Sequence, residues 1–160
     1  TGHAIECRLY AEDPEHDFRP STGEILVWRP PTGPGVRVDA GVRQGQSVGT
    51  SFDPMIAKII CHGHTREEAM ERSVQALQQS VLLGLTTNAR YLTRVLRHPE
   101  FVAGRADTGM LARCAEDLRE SFSEDDIDLL LAAAVATDKE LLQSVHAVSP
   151  MHAAMGSWRN

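Results

Sequence analysis

The apolar pattern of the chain changes its period at Thr65, and this change constrains the fold more than any other feature. Before it, short alternating or apolar runs lie between turns rich in Gly and Pro, the pattern of antiparallel strands. Residues 3–9 place Ile5, Cys7 and Leu9 on one face and Glu6 and Arg8 on the other. Further strands are expected at 24–28, 36–39 and 55–61. The connector Arg29-Pro30-Pro31-Thr32-Gly33-Pro34-Gly35 is rigid, because its prolines donate no ladder hydrogen bonds.

After Thr65 the spacing becomes helical. Thr65-Arg66-Glu67-Glu68 reads as a capping box, with the threonine hydroxyl accepting from the Glu68 N–H and the Glu68 carboxylate returning to the Thr65 N–H. Ala69, Val74, Leu77, Val81 and Leu82 form an apolar face that runs to Gly84, a natural stop. A second helix is expected over 88–97, ending before Pro99, and a short third one near 110–119. A fourth spans 124–146, capped by Ser123, with Glu124, Asp125 and Asp126 in the first turn where the helix dipole favours acids. The expected fold is α+β: a small antiparallel sheet with the 65–83 and 88–97 helices packed on one face, then a long C-terminal helix.

Composition narrows the function. The 160 residues suit one domain, or one domain with an appendage. A net charge of -6 without a basic patch argues against nucleic acid as a partner. Cys7, Cys61 and Cys114 are widely separated, which favours reduced thiols over a disulfide framework. No apolar run reaches membrane-spanning length, and no membrane partner is expected. The chain starts without methionine, almost inside an alternating stretch, and is expected to be a piece of a longer protein.

Several local patterns carry charge or ligand chemistry. In Ser51-Phe52-Asp53-Pro54-Met55-Ile56-Ala57-Lys58 an aspartate and a lysine bracket the start of a buried strand, either pairing to pin a turn or belonging to a charged site. A structural role for Asp53 and Lys58 is favoured. Glu6 and Arg8 are read as making cross-strand or inter-lobe ion pairs. Cys61-His62-Gly63-His64 has no partner segment to complete a zinc site, so it reads as a strand end and turn, and no metal site is expected. Gly33-Pro34-Gly35 lacks phosphate-loop spacing and is a turn.

Seven blocks, taken together, carry a resemblance. They are Gly2-His3-Ala4-Ile5-Glu6-Cys7-Arg8-Leu9-Tyr10-Ala11-Glu12-Asp13-Pro14, Phe18-Arg19-Pro20-Ser21-Thr22-Gly23, Gly33-Pro34-Gly35-Val36-Arg37-Val38-Asp39, Asp53-Pro54-Met55-Ile56-Ala57-Lys58, Gly84-Leu85-Thr86-Thr87-Asn88, His98-Pro99-Glu100-Phe101 and Gly104-Arg105-Ala106-Asp107-Thr108-Gly109-Met110-Leu111. In this order they resemble the C-terminal lobe of biotin carboxylases over about the first 111 residues. The resemblance implies an ATP-grasp ligase that carboxylates biotin with bicarbonate and MgATP. It implies a fixed guanidinium against the charge that grows on the ureido oxygen. The arginine matched to that role is Arg37, in Gly35-Val36-Arg37; read without the family, it is a strand-surface arginine paired with Asp39 or another acid. Thr108 is matched to a position near the adenine.

The resemblance also implies that the metal-binding glutamates, the base, the ATP lid and the bicarbonate arginine lie on upstream ATP-grasp lobes. This piece alone is therefore expected to hold neither biotin, ATP nor Mg tightly, and not to hydrolyse ATP. A homodimer contact is implied near the Cys61–His64 neighbourhood. The tail Ser149-Pro150-Met151-His152-Ala153-Ala154-Met155-Gly156-Ser157-Trp158-Arg159-Asn160 is similar to a phrase in acyl-CoA carboxylase alpha subunits of the methylcrotonyl-CoA type. It departs from that phrase at Met151, where an aromatic is usual, and lacks one residue between Arg159 and Asn160. The similarity implies a biotin carrier domain and a carboxyltransferase subunit as partners, in the cytoplasm or the mitochondrial matrix. The expected division is a lobe over 1–111 and a helical extension over 112–160. The alternatives are a non-catalytic assembly module and the same lobe of a pyruvate or urea carboxylase.

Overall fold

A computed structural model describes residues 1–119 and 124–137 of the chain. The chain forms two compact units, Thr1–Glu120 and Ser121–Asn160. In chain order the strands are β1 (His3–Tyr10), β2 (Glu12–Asp13), β3 (Arg19–Pro20), β4 (Gly23–Glu24), β5 (Val27–Arg29), β6 (Val36–Ala40), β7 (Ser47–Val48), β8 (Met55–Gly63) and β9 (Val81–Leu83). The helices are α1 (Arg66–Gln79), α2 (Ala89–Arg97), α3 (Pro99–Val102), α4 (Met110–Arg113) and α5 (Glu124–Thr137).

The centre of the first unit is an antiparallel sheet in the order β1-β8-β6. Its register opposes Cys7, Ile59 and Val38 in one row and Ile5, Cys61 and Val36 in the next. Because side chains alternate across a sheet, these rows share one face, and α1 and α2 cover it. Cys7, Ile59 and Cys61 pack there against Val74, Ala76, Leu77 and Leu96. Each fully buried Leu or Ile removes enough apolar surface to contribute about 1.5–3 kcal/mol. Burial pushes the Cys7 thiol up to about 12, so it behaves as a small hydrophobe. This is the expected α+β arrangement of a sheet with helices on one face.

The sequence pattern misplaced three boundaries. Thr65 Oγ1 does accept from the Glu68 N–H at 3.2 Å, but the Glu68 carboxylate accepts from the His64 N–H at 2.7 Å, one residue before the expected partner. α1 stops at Gln79, and Val81 and Leu82 belong to a strand instead of the helix. Ser80 turns into extended backbone there, and β9 pairs antiparallel with β5, setting Leu82 opposite Trp28. The pairing places both side chains against the Leu9, Ala11 and Ile56 core, which a longer helix would forgo. The strand expected over 24–28 changes partner midway: β4 pairs with β7, while β5 pairs with β9. Ile25, fully buried, sits at the changeover. At Gly84 (φ +105°) a Cβ would lie 2.1 Å from the Glu24 carbonyl oxygen, so this crossing requires glycine.

α3 begins where the preceding helix was expected to end: Pro99 occupies its first turn and His98 Nδ1 accepts the Glu100 N–H at 3.2 Å. The short helix near 110–119 is regular only over α4. Met110, Cys114 and Leu118 nevertheless share one buried cluster with Tyr91, Val95 and Phe101, which carries the first unit's packing past residue 111. In the second unit, α5 leaves Ile127, Leu129, Leu130, Leu131 and Val135 exposed. The helix expected to reach residue 146, and its cap at Ser123, extend outside the described residues. Among the described residues, no helix is long and apolar enough to cross a membrane.

Candidate functional site

The outer face of the sheet carries the charges. The same register that buries Cys7 and Ile59 sets Arg8, Lys58 and Asp39 side by side across the three strands, with Glu6, Ile60 and Arg37 in the adjacent row. Arg8 Nε donates to Glu6 Oε1 at 2.9 Å, so this pair runs along one strand, where cross-strand or inter-lobe pairs were expected. Arg37 forms the matching pair on the far strand, donating from Nε and Nη2 to the two Asp39 oxygens at 2.9 and 2.8 Å. The side chains of Arg8 and Arg37 are 59% and 75% exposed. The Arg8 hydrogen bond holds the Glu6 carboxyl below its ordinary value, with a weaker pull from Lys58. Glu6, and after it Tyr10, raise the Arg8 guanidinium in turn.

A cleft of about 670 Å³ opens beside β1. Glu6, Arg8 and Tyr10 form one wall, Asn88, Tyr91 and Leu92 of α2 and its cap form the floor, and the 111–119 segment closes the far side. Of the six residues singled out from sequence, only Glu6 and Arg8 line it. Arg37 and Lys58 lie on the same sheet face but outside the cleft. Asp53 accepts the Met55 N–H at 3.0 Å, so it pins the turn without pairing to Lys58. It lines a separate hollow of about 360 Å³ beside Phe52, whose ring is 87% exposed. Thr108 is exposed in the turn before α4 and outside the cleft. Cys61 points into the core and His62 to the opposite side, as strand alternation demands. Among the described residues no three His, Cys, Asp or Glu side chains converge as a metal site does.

Asn88 was not singled out from the sequence, where an asparagine opening a helix reads as a cap. Its side chain makes no capping bond. Instead Oδ1 accepts the Tyr10 N–H at 2.9 Å and Nδ2 donates to the Arg8 carbonyl at 3.2 Å. With only 6% exposure, this amide fixes the backbone on both sides of Leu9 and thereby aims Arg8.

The cleft suits a small ring with one polar edge. It has a guanidinium that donates in a plane, apolar contacts from Leu92 and Leu111, and a tyrosine ring. These residues fit the ureido end of biotin. They do not fit a nucleotide triphosphate, because the rim carries Glu12, Glu15 and Asp17 against Arg119.

Fold and site together define the C-terminal lobe of a biotin carboxylase, and residues 6–113 match the biotin carboxylase C-terminal domain family, to which the chain belongs. It is 40% identical over 146 residues to the mitochondrial methylcrotonoyl-CoA carboxylase alpha subunit of Dictyostelium discoideum, covering 89% of this chain and 21% of that one. It is 44% identical over 110 residues to biotin carboxylase 1 of Bacillus subtilis, covering 69% of this chain and 24% of that one. A crystal structure of the biotin carboxylase subunit of pyruvate carboxylase superposes with a TM-score of 0.73 at 36% identity, over 76% of this chain and 27% of that one. A dimer of the biotin carboxylase domain of Hydrogenobacter thermophilus 2-oxoglutarate carboxylase, in complex with MgADP, ADP and bicarbonate, gives the same TM-score at 30% identity, over the same shares of the two chains. The chain thus spans about a fifth to a quarter of the length of these relatives.

Proposed function

We propose that this lobe forms one wall of the biotin site of a biotin carboxylase, with Arg8 as its catalytic guanidinium. The observation that carries the reading is that Arg8 lines the cleft and Arg37, to which the role was first matched, does not. Bound in the assembled enzyme, biotin supplies the ureido nitrogen that accepts the carboxyl group, and MgATP with bicarbonate supplies that group. Arg8 donates to the ureido oxygen, where negative charge grows as the nitrogen reacts. A guanidinium already held by the strand and by Asn88 meets that charge without reorganising. Its resting partner, Glu6, is easily given up, because an ion pair open to water is screened and holds weakly.

The remaining machinery belongs to partners. ATP-grasp lobes elsewhere in the longer protein hold the nucleotide and metal. The homodimer contact is assigned to the Cys61–His64 end of β8, where His62 and His64 are exposed. The acyl-CoA carboxylase reading, with a biotin carrier domain and a carboxyltransferase subunit, draws support from the extent of similarity. The methylcrotonoyl-CoA carboxylase relative matches 89% of the chain and the B. subtilis biotin carboxylase 69%.

The test is ATP- and bicarbonate-dependent carboxylation of free biotin by the full-length enzyme. Arg8→Ala is expected to lower turnover by roughly 10²–10³-fold, as loss of one preorganised donor to a developing oxyanion does. Full turnover in that variant refutes the assignment.

A further inference from the structure

Arg94 does not line the cleft, yet it touches three residues that do. Its Nε donates to the Leu118 carbonyl at 2.6 Å, its Nη2 to Glu15 Oε1 at 2.8 Å, and its guanidinium carbon lies 6.0 Å from the centre of the Tyr91 ring. Leu118 ends the segment that closes the far side of the cleft. Glu15 belongs to the one-turn 3₁₀ helix Pro14–His16, another part of the cleft lining. The arginine side chain is only 23% exposed; its bond to the Leu118 carbonyl is partly buried, and its bond to Glu15 is open to water.

The rim that Arg94 holds is strained. Asp17 and Phe18 follow Glu15 with φ of 53° each, a left-handed conformation that is an outlier for a bulky residue such as Phe. Such backbone persists where its surroundings over-determine it. Side-chain contacts to α2 contribute here, among them Glu15 to Arg94 and the Phe18 ring edge-on to Tyr91 with centroids 5.0 Å apart. Tyr91 and Arg94 are three residues apart and so share one face of α2.

We propose that Arg94 is a positioning residue that sets the width of the cleft, tying the Glu15–Phe18 rim and the Leu118 wall to one helix. The inference rests on the assignment of the cleft to biotin, and only a planar fork satisfies both acceptors at once, so lysine is no substitute. With the strut gone, the two walls part and the small ring of biotin is held loosely.

In the full-length enzyme, Arg94→Gln is expected to raise KM for free biotin by about tenfold while kcat stays within about threefold, the signature of lost uniform binding. Amide hydrogen exchange of residues 15–18 and 115–118 rises together in the same variant. Glu15→Gln moves KM in the same direction by less, and adds nothing in the Arg94→Gln background. A folded Arg94→Gln enzyme with unchanged exchange at both walls overturns the proposal, as does an additive Glu15→Gln effect. If Arg94→Gln does not fold, Glu15→Gln alone decides: unchanged exchange at both walls overturns the strut. Exchange that rises at both walls while KM stays put upholds the strut and overturns the assignment of the cleft to biotin.

Discussion

Arg8 on β1 and Arg37 on β6 stand on one face of one sheet, on either side of β8, and each bonds a carboxylate two residues along its own strand. Both strands are edges of the three-stranded sheet, and their surroundings differ. At Arg8 the free edge is covered: the Asn88 amide accepts from the Tyr10 N–H and donates to the Arg8 carbonyl, and the Asn88 N–H donates to the Tyr10 carbonyl at 3.2 Å. One asparagine thus stands in for the neighbouring strand, and α2 rises from it to form the cleft floor. At Arg37, among the described residues, the sheet simply ends. The same motif, an arginine with a nearby acid, becomes a cleft residue where a helix covers the edge and a surface residue where none does.

The sharpest way to break this comparison is to remove each guanidinium in the full-length enzyme and measure free-biotin carboxylation. The Arg8→Ala rate is expected to fall roughly 10²–10³-fold below that of Arg37→Ala, about 3–4 kcal/mol of transition-state stabilisation. Arg37→Ala stays within about threefold of the parent enzyme, because the exposed Arg37–Asp39 pair is screened by water and contributes little. Equal losses in the two variants would erase the distinction between the edges.

Next in size is the cover itself. Asn88→Ala leaves the Tyr10 N–H without its side-chain partner and removes a donor from the Arg8 carbonyl, at a partly buried place. Urea unfolding of the chain is expected to show a loss of about 1–3 kcal/mol, the cost of stranding a buried polar group. Amides around Arg8 should lose exchange protection while those of β6 keep theirs. Asn88→Asp, which keeps the acceptor and loses the donor, falls between. A stability equal to the parent's in Asn88→Ala would show that the amide covers nothing.

These differences explain what could be read in the sequence. Alternation in residues 3–9 was legible because one face of β1 is core and the other is charged. The Thr65 cap was legible because its partner lies three residues away. What failed was non-local. Whether Val81 and Leu82 continue a helix or pair as a strand depends on Trp28, more than fifty residues earlier. Whether Arg8 or Arg37 faces a cleft depends on Asn88 and on the 111–119 segment, about 80 or more residues beyond Arg8. Local pattern makes the two arginines equivalent; the motif match pointed to Arg37, and the cleft lining favours Arg8. Arg94 was illegible for the same reason, since its partners at 15 and 118 lie on either side in the chain.

The smallest effect distinguishes the edges through a proton. The Arg8 hydrogen bond is the largest cause of the lowered Glu6 carboxyl, and Lys58 lowers it further through space. Because the folded value lies below the ordinary one of about 4.5, the pair's contribution is present above that pH and is lost as pH falls through the lowered value. At neutral pH the carboxylate is charged and competes for Arg8 until substrate arrives. A carboxyl-carbon NMR titration is therefore expected to place the Glu6 midpoint below the ordinary range in the parent chain. In Arg8→Ala it climbs back to or above the ordinary value, because desolvation, which raises it, outweighs the remaining pull of Lys58. In Arg37→Ala it barely moves, since Arg37 spends its donors on Asp39. A Glu6 midpoint that followed Arg37 instead would mean the charges on this face act as one network across β8, and the two edges could no longer be treated as separate sites.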